Sequence, residues 1–402
     1  MLPLHFVASI SLLAPQTAPA PLETPARPLP VRAGVPGSEH RQENGAVDVR
    51  GDAVLAAILE RAWDGDGVVG GAAALAVASK PTRVASFGVR RTGDETPFRA
   101  DDLVHLGSDT KAMTAALCAR LVDDGDLAWD STVAAVLPEI AAEVHEGYRE
   151  VTLLQLLRHT GGLPEHSEHF GRFEDVELRE RRRRIAVLAL QDAPANEPGE
   201  TFRYSNLGYL VAGVMAERVG GATWEELIRK EVFQPLGITS AGFGVPGTEG
   251  EVDQPWGHVS LGDALIPVQS DNPEALGPAG TAHMSMADWA RFALSFTDAG
   301  RVEGFLSDAS LARLLEPGPG GYACGWMVQE RGWARGVALT HAGSNTMWYA
   351  VAWVAPRTGR AYLVALNSAQ EEASSLVDEV VGKLIRLDLE SAERGEATGA
   401  GK

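Results

Sequence analysis

The chain has 402 residues, 45% of them hydrophobic and 22% charged, and its 35 basic and 54 acidic side chains give a formal net charge of −19 at pH 7. At roughly 150 residues per domain, this length predicts two or three structural units or one large unit with insertions, and the apolar fraction excludes a disordered chain. The acidic surplus argues against nucleic-acid binding, because phosphate contact needs clustered cations. Even the arginine-rich tract at 179–184 contains Glu180 and is interpreted as a solvated helix face.

The first 48 residues divide into a candidate leader and a linker. Residues 1–20 hold an apolar stretch from Leu2 to Ala14 and small residues at Ala18 and Ala20 that could form a signal-cleavage site. The stretch is too short to span a membrane, so it predicts a signal peptide and a secreted or periplasmic protein. Residues 21–48 are rich in proline and predict an extended linker. The alternative is an intracellular protein with a disordered N-terminus.

Strand-like and helix-like segments follow in a mixed order. The spacing of apolar residues predicts helices over Ala53 to Trp63 and Ala369 to Leu387. Short apolar runs bounded by turn residues predict strands, at Ala72 to Ser79, Arg83 to Val89, Val337 to His341, Met347 to Val354 and Ala361 to Leu366. These strands lie near the two ends of the chain and lack the repeated βαβ order of a parallel sheet, so they predict one antiparallel sheet.

The middle of the chain is predominantly helical in its pattern. Thr152 with Gln155, and Ser285 with Asp288, have the spacing of capping boxes at helix starts. We therefore predict one domain over 49–388, of the α+β type, with an antiparallel sheet from 49–106 and 320–388 and a mainly helical insertion at 107–319. Residues 389–402 are polar and small and predict a flexible tail.

Ser108 and Lys111 form an S-x-x-K motif at the start of a helical pattern. Residues three apart share a helix face, so the lysine amine can reach the serine hydroxyl. A nearby amine that is kept neutral, or that relays a proton, turns a weakly nucleophilic serine into a competent one. The first turn of a helix also offers an unpaired N–H group to an oxygen that becomes negative. The motif alone is also compatible with an ordinary surface helix.

Two further segments carry candidate catalytic groups. Tyr204 and Asn206 stand two residues apart before an apolar helix, so a phenol that exchanges a proton and an amide that orients a partner can point to one place. His341 stands at a strand end, where it can donate a hydrogen bond or carry charge near pH 6.5. Gly343 after it permits close backbone approach, and N–H groups up to Ser344 could complete an oxyanion hole.

In this order, the motifs resemble the serine β-lactamase and penicillin-binding-protein superfamily, specifically its branch of class C β-lactamases, DD-peptidases and esterases. Other segments are also similar to that family, namely Leu156 to Pro164, Phe233 to Gly237, Gly277 to Gly280, Met284 to Asp288 and Gly325-Trp326. The last of these matches a strand of the family. The resemblance covers residues 50 to 388. It implies a β-lactamase/transpeptidase-like fold and a serine hydrolase that works without a cofactor.

Carried over position by position, the resemblance implies that Ser108 is the nucleophile and that Lys111 shares its proton. Tyr204 would act as general base and then as acid toward the leaving group, and Asn206 would hold Lys111 or the substrate amide. The oxyanion would lie between the backbone N–H groups of Ser108 and Ser344. Whether Lys111 or Tyr204 accepts the first proton stays open, since a close pair titrates as a unit.

The third motif departs from class C β-lactamases, which carry K-T-G. His341-Ala342-Gly343 lacks the permanent cation and the hydroxyl that would hold an antibiotic carboxylate. The loss of a charge-assisted bond weakens recognition by roughly 1.5–3 kcal/mol, or about ten- to hundredfold. A histidine is common at this place in the family's esterases, peptidases and D-amino-acid amidases. The resemblance therefore implies hydrolysis of an ester or amide, with weak or no β-lactamase activity.

Alternatives remain open. One is a true class C-like β-lactamase or D-Ala-D-Ala carboxypeptidase, and another is a non-catalytic penicillin or peptidoglycan receptor. His166 and His169 flank Glu168 without the H-E-x-x-H spacing, so a polar loop near the cleft is preferred to a metal site. Cys118 and Cys324 are interpreted as buried small hydrophobes.

The expected partner is a small-molecule or peptide substrate. No nucleic acid and no membrane span are expected, and the oligomeric state stays open. Substrate choice is expected to depend on a Gly- and Pro-punctuated stretch at about 240–280, because loops vary most in such families. In that stretch Trp256, His258, Asp263 and Gln269 are predicted to line the cleft.

Overall fold

The computed structural model describes residues 49–262 and 264–399, so the predicted leader, the proline-rich linker and Asp263 lie outside the described residues. The strands, in chain order, are β1 (Gly70–Val77), β2 (Arg83–Gly88), β3 (Leu103–His105), β4 (Gly242–Phe243), β5 (Gly257–Leu261), β6 (Ala264–Val268), β7 (Ala282–Ser285), β8 (Met327–Arg331), β9 (Gly336–Ser344), β10 (Tyr349–Ala355) and β11 (Arg360–Leu366).

A six-stranded antiparallel sheet with the order β2-β1-β11-β10-β9-β8 organises the molecule. The first strand of the chain pairs with the last, β11, as in the register of Ala73 with Val364, 291 residues later. This arrangement confirms the predicted α+β class with an antiparallel sheet. The two predicted N-terminal strands and the three predicted C-terminal strands are present, and β8 is an edge strand that the apolar runs of the sequence did not predict.

Helices cover both faces of this sheet. They are α1 (Ala53–Trp63), α2 (Thr110–Asp123), α3 (Val133–Val136), α4 (Glu146–Arg149), α5 (Leu153–Leu157), α6 (Leu178–Ala189), α7 (Asn206–Gly220), α8 (Trp224–Ile228), α9 (Gly277–Gly280), α10 (Met286–Leu294), α11 (Asp308–Leu315) and α12 (Ala373–Gly399). The stretch between β3 and β8 contains most of them, together with two small sheets of strand order β3-β7-β4 and β5-β6.

Apolar side chains of the central strands point alternately to the two faces of the sheet, and they form a hydrophobic core on each face. In β10, Val351 and Trp353 pack into the core formed with α1 and α12, whereas Ala350 and Ala352 belong to the core shared with the helical stretch. Successive side chains of a strand point to opposite faces, so a strand buried on both faces reads as a continuous apolar run. The core shared with the helical stretch includes α2, so the start of that helix lies directly against the sheet.

The two predicted capping boxes differ. Thr152 and Gln155 form the complete reciprocal box at the start of α5. Ser285 accepts the backbone N–H of Asp288 at 3.3 Å, which is half of a box. The carboxylate of Asp288 instead accepts the N–H groups of Thr239 and Ser240, both at 2.9 Å, so it fastens a distant loop.

The prediction of a solvated face for the arginine-rich tract is wrong at one position. Arg182 in α6 is fully buried, with ion pairs to Glu217 and Glu225. These carboxylates come from α7 and α8 and neutralise the guanidinium, which a buried charge requires.

Two details near the C-terminus also differ from the sequence prediction. Gly325-Trp326 precedes β8 rather than forming a strand, and Cys324 beside it is, like Cys118, a buried free thiol. The last helix extends to Gly399 instead of giving way to a tail after Leu387. Helix-forming residues and the i,i+4 pair of Arg394 with Glu390, at 3.8 Å, favour this extension. Among the described helices, none is both long and apolar enough to cross a bilayer.

Candidate active site

Ser108 lies at the point where the sheet meets the buried helix α2. A single 3₁₀ turn, Gly107–Asp109, connects β3 to α2, and Thr110 closes it with a hydroxyl hydrogen bond of 2.6 Å to the carbonyl of Gly107. Gly107 has a φ of +53°, which favours glycine, and a Cβ added there would lie 2.2 Å from the backbone nitrogen of Ser344. The nucleophile segment therefore contacts the end of β9 directly.

Lys111, one helical turn later, is fully buried and makes three hydrogen bonds. Its Nζ lies 3.0 Å from Ser108 Oγ, 2.8 Å from Asn206 Oδ1 and 2.8 Å from the carbonyl oxygen of Ala279. Burial lowers the pKa of Lys111 to about 7, and the carboxylates of Asp109 and Glu165 counteract part of this effect. The amine is thus held in one place by acceptors from three different segments.

Tyr204 and Asn206 reach this centre from the start of α7. Ser205 caps that helix, its own N–H donates to His159 Nδ1 at 3.0 Å, and its hydroxyl donates to the carbonyl of Pro164 at 2.6 Å. The His159 ring lies 4.4 Å from the Tyr204 ring, measured between centroids. The segment similar to the family motif, residues 156–164, therefore fixes the position of the tyrosine.

The phenol of Tyr204 is held in its protonated form. Burial raises its pKa, while a hydrogen bond with the Ser108 hydroxyl acts in the opposite direction, and the ring centroid lies 4.9 Å from the Nζ of Lys111. A tyrosine with a raised pKa beside a lysine with a lowered pKa gives a neutral phenol and a readily neutralised amine at neutral pH.

His341 lies in β9, opposite Ala352 of β10, and is neutral. Burial, followed by the nearby Lys111 charge, lowers its pKa to about 3. Its Nδ1 lies 2.8 Å from the carbonyl oxygen of Ala342, which can only accept, so Nδ1 carries the proton. Its Nε2 then accepts the Tyr322 hydroxyl at 3.0 Å. Of the two roles considered for this histidine, carrying charge is excluded at neutral pH, and its N–H already has a partner.

The sheet contributes backbone to the site. A Cβ added to Gly343 would lie 1.9 Å from the carbonyl oxygen of Leu106 and 2.4 Å from the nitrogen of Ser108, so only glycine fits there. Facing contacts at Gly107 and Gly343 bring the N–H groups of Ser108 and Ser344 to adjacent backbone segments. The two backbone segments that are predicted to form an oxyanion hole therefore lie side by side.

Asp109, next to the nucleophile, is a buried carboxyl that the sequence did not single out. Both of its oxygens lack a hydrogen-bond partner, and burial raises its pKa well above the usual range. A Cβ on Gly343 would lie 2.9 Å from Asp109 Oδ2. Burial therefore disfavours the ionised form of this acid, which occupies the boundary between the helix start and β9.

The predicted cleft residues have other roles. His258 is fully buried and bonds to the N–H of Thr92 and the carbonyl of Asn367. The Trp256 indole donates to the carbonyl of Glu251, and Gln269 contacts Thr248 and Gly250. From the same stretch, Asp271 instead hydrogen-bonds to His105 and Asn345, and Asn272 hydrogen-bonds to Gly280, close to the site.

The loop with two predicted polar histidines contributes one of them. His166 Nδ1 lies 3.4 Å from Asn206 Nδ2, and the carbonyl of Glu165 accepts the N–H of Asn206 at 3.1 Å. Over residues 49–262 and 264–399, no group of three or more His, Cys, Asp or Glu side chains is placed to hold a metal ion.

Comparison with known proteins identifies related sequences. A family model described as Beta-lactamase matches residues 55–385. Penicillin-binding protein 4 of Amycolatopsis lactamdurans is 30% identical over 316 residues, which are 74% of this chain and 81% of that protein. Lovastatin esterase of Penicillium rubens is 29% identical over 211 residues, covering 47% of this chain and 49% of the esterase.

Solved structures show the same fold. The crystal structure of SurE superposes with a TM-score of 0.69 at 23% identity and covers 82% of this chain and 74% of its own. A D-amino acid amidase from Ochrobactrum anthropi SV3, solved with L-phenylalanine, superposes with a TM-score of 0.67 at 19% identity, over 85% of this chain and 99% of the amidase.

Proposed function

Because this chain belongs to the β-lactamase family and is a serine hydrolase, we propose that it forms an acyl-enzyme on Ser108 and cleaves an ester or an amide rather than a β-lactam. D-Amino-acid amides or peptides and small esters are the substrate classes that we propose.

The geometry of Lys111 is the observation that carries the proposal. A neutral amine has two N–H groups and one lone pair. Asn206 Oδ1 and the carbonyl of Ala279, both at 2.8 Å, take the two N–H groups, so the lone pair faces Ser108 Oγ at 3.0 Å. With a pKa lowered to about 7 by burial, a large share of the enzyme has this form at neutral pH. The arrangement favours Lys111 as the first proton acceptor.

The proposed reaction uses only Lys111 and Tyr204 for proton transfer. As Ser108 Oγ bonds to the substrate carbonyl carbon, its proton moves to Lys111 Nζ, and the carbonyl oxygen becomes an anion held by the N–H groups of Ser108 and Ser344. The tetrahedral intermediate expels the alcohol or amine, which takes a proton from the Tyr204 hydroxyl, and Lys111 returns a proton to Tyr204. Water then attacks the acyl carbon and gives a proton to Lys111. When the second intermediate collapses, the acid leaves and Lys111 returns that proton to Ser108 Oγ.

The charge around Ser108 supports substrates without a carboxylate at the third motif. His341 is neutral, and within the described residues Lys111 is the only lysine or arginine that bonds to or stacks on Ser108, Tyr204 or His341. A β-lactam antibiotic or a C-terminal D-alanine presents a carboxylate, which needs a cation for tight binding. Neutral esters and amides do not have this requirement.

A substrate panel tests this proposal. We expect p-nitrophenyl acetate or a D-amino-acid p-nitroanilide to exceed nitrocefin in kcat/KM by about a hundredfold, the upper end of what a lost charge-assisted bond costs. Ser108→Ala is the control for hydrolysis that does not use the site. Nitrocefin turnover equal to ester turnover would refute the preference and favour a true β-lactamase.

A fluorophosphonate probe separates the enzyme from the receptor alternative. We expect stoichiometric labelling of the wild type and none of Ser108→Ala, because the probe reacts with an activated serine hydroxyl. Ser86, whose buried hydroxyl donates to the carbonyl of Phe98, offers a matched control. Ser86→Ala should still be labelled. An unlabelled wild type would support a receptor, and labelling of Ser108→Ala would exclude Ser108 as the nucleophile.

A further inference from the structure

Asp271 connects the two backbone segments that form the candidate oxyanion hole. One of its oxygens, Oδ2, lies 3.0 Å from His105 Nε2, and the other, Oδ1, accepts the Asn345 Nδ2 amide at 2.8 Å. All three side chains are buried, with side-chain exposures of 0% for His105 and 7% for Asp271. No motif of the sequence contains any of them.

Each partner of Asp271 is itself fastened to the backbone beside a proposed oxyanion donor. His105 Nδ1 accepts the N–H of Gly107 at 3.1 Å, and Gly107 directly precedes Ser108. Asn345 directly follows Ser344, and its Oδ1 accepts the N–H groups of Met347 at 3.1 Å and Trp348 at 3.0 Å.

Donor and acceptor roles in this network are unambiguous. Since His105 Nδ1 accepts an N–H, its Nε2 carries the proton and donates to Asp271. Since Asn345 Oδ1 accepts two N–H groups, its Nδ2 must be the atom that faces Asp271. The carboxylate of Asp271 therefore accepts two hydrogen bonds, one from each side of the site.

We propose that Asp271, with His105 and Asn345, positions the oxyanion hole by fixing the Ser344 segment against the Ser108 segment. This inference rests on the proposed acyl-enzyme function. The three are positioning residues, since none bonds to Ser108 or Lys111. The adjacent Asn272 supports the assignment, because its amide donates at 2.9 Å to the carbonyl of Gly280, directly after the Ala279 that holds Lys111.

The expected size of the effect follows from what an oxyanion hole contributes. Loss of one donor typically costs about 10²–10³ in kcat, and a donor that is displaced but not lost should cost less. We therefore expect about a 10- to 100-fold fall in kcat when the network is broken. KM should stay within about threefold, because the displaced groups bind the transition state more strongly than the ground state.

An exchange of two residues tests the network. Asp271→Asn places an amide donor against the Asn345 amide or the His105 N–H, and Asn345→Asp places two carboxylates face to face. The double variant Asp271→Asn/Asn345→Asp reverses the direction of one hydrogen bond. It keeps an acceptor for His105 and another for the N–H groups of Met347 and Trp348. Both single variants should lose kcat, and the double variant should recover most of it.

Asp253→Asn is the matched control. Asp253 lies in the same stretch and also accepts two hydrogen bonds, from the N–H of Thr248 at 3.0 Å and its hydroxyl at 2.7 Å, but it has no link to Ser108 or Ser344. This variant should keep the wild-type kcat for p-nitrophenyl acetate and the wild-type rate of fluorophosphonate labelling.

The outcomes separate this inference from the proposed function. If wild type is labelled by the fluorophosphonate and both single variants react at the wild-type rate, the positioning role is wrong while the function stands. If the single variants lose activity and the double variant does not recover it, the network is a folding element rather than a positioning one. Rescue by the double variant at unchanged melting temperature supports the proposal. A wild type that does not react at all refutes the function, and the inference with it.

Discussion

The two sides of the candidate active site contribute different groups, side chains on one and backbone on the other. On the helical side, Lys111, Tyr204 and Asn206 contribute side chains, each held by hydrogen bonds or ring contacts from another segment. On the sheet side, the end of β9 contributes backbone, and Gly343 is present because there is no room for a Cβ. In the proposed reaction, the helical side carries protons, and the sheet side stabilises the negative charge that develops on an oxygen.

Because of this difference, variants on the two sides should lose activity in different ways. A side chain that exchanges protons is sensitive to its pKa and to pH. A backbone donor has no accessible pKa, so it is sensitive to displacement alone. Variants of the first kind should therefore change the pH dependence of the reaction, whereas variants of the second kind should lower the rate at every pH.

The largest effect is expected at Lys111. Lys111→Arg keeps a positive charge but cannot become neutral, since a guanidinium stays protonated in proteins. If the amine accepts the serine proton, kcat/KM for p-nitrophenyl acetate should fall by about 10³–10⁴-fold, the upper range for a general base.

Two further variants make this result interpretable. Lys80→Arg, at an exposed turn, should leave the rate unchanged. Lys111→Met removes both charge and amine without the larger volume of arginine, and it should be as inactive as Lys111→Arg. If Lys111→Arg keeps activity within tenfold, the lysine acts through its charge, and Tyr204 would be the better candidate for the base.

The next largest effect is expected on the sheet side, from Gly343→Ala. A methyl group there would lie 1.9 Å from the carbonyl oxygen of Leu106, a backbone atom that cannot move without moving the nucleophile segment. We expect kcat to fall by about 10²–10³-fold at every pH, as for the loss of an oxyanion donor.

Gly332→Ala is the control for Gly343→Ala. Gly332 lies near the turn between β8 and β9, and a Cβ added there meets nothing within 4 Å. Circular dichroism and fluorophosphonate labelling would show whether the Gly343 variant is folded but slow. A folded Gly343→Ala enzyme with a wild-type kcat would show that β9 does not supply an oxyanion donor.

The same contrast explains what the sequence could predict. The residue types at 108, 111, 204 and 206 carry chemistry in themselves, and their spacing matches a known motif order, so they could be found by inspection. The central strands could be predicted as well, because β1, β10 and β11 are continuous apolar runs buried on both faces. The edge strand β8 is partly exposed and gives no such run.

Long-range partners explain most of what the sequence could not predict. Arg182 is buried because Glu217 and Glu225 come from helices 35 and 43 residues away. Asp271 lies 166 residues from His105 and 74 from Asn345, so no local pattern connects them. His341 loses its expected charge through burial against Tyr322, which the sequence places 19 residues earlier without any sign of contact.

A smaller effect is expected on the pH dependence of the reaction. Burial lowers the pKa of Lys111 to about 7, so the neutral amine increases as the pH rises through 7. We expect kcat/KM for a neutral ester to rise about tenfold between pH 6 and pH 8, with the slope of a single proton. His341, with a pKa of about 3, does not titrate in this range.

The control for this profile is His341→Gln, whose side chain can still accept the Tyr322 hydroxyl. The ascending limb near pH 7 should persist in that variant. The limb should be absent from Lys111→Arg, however low the residual rate of that variant. In Gly343→Ala, kcat/KM should be lower at every pH, and the limb should stay at the same pH. A limb that moves with His341 would assign the titration to the histidine instead.

The smallest effect is expected where the two sides meet, at Asp109. Burial raises the pKa of this carboxyl above its unfolded value, so the folded protein keeps the proton where the unfolded chain, with a pKa of about 3.9, has released it. The unfolded state then binds fewer protons, and this group makes the protein less stable as the pH rises above about 4.

Asp109→Asn removes the titrating proton and keeps the size of the side chain. The melting temperature of the variant relative to wild type should therefore be higher at pH 8 than at pH 5, by about 2 °C for each kcal/mol. Asp253→Asn is the control, because the pKa of this exposed carboxylate is lowered, mainly by a backbone hydrogen bond from Thr248. The group is ionised at both pH 5 and pH 8 in the folded and the unfolded protein, so the melting-temperature difference from wild type should be the same at the two values. Equal pH dependence in Asp109→Asn and wild type would mean that the carboxyl is ionised in the folded protein. The helix start would then hold a negative charge against the sheet backbone that the proposed mechanism uses to stabilise an anion.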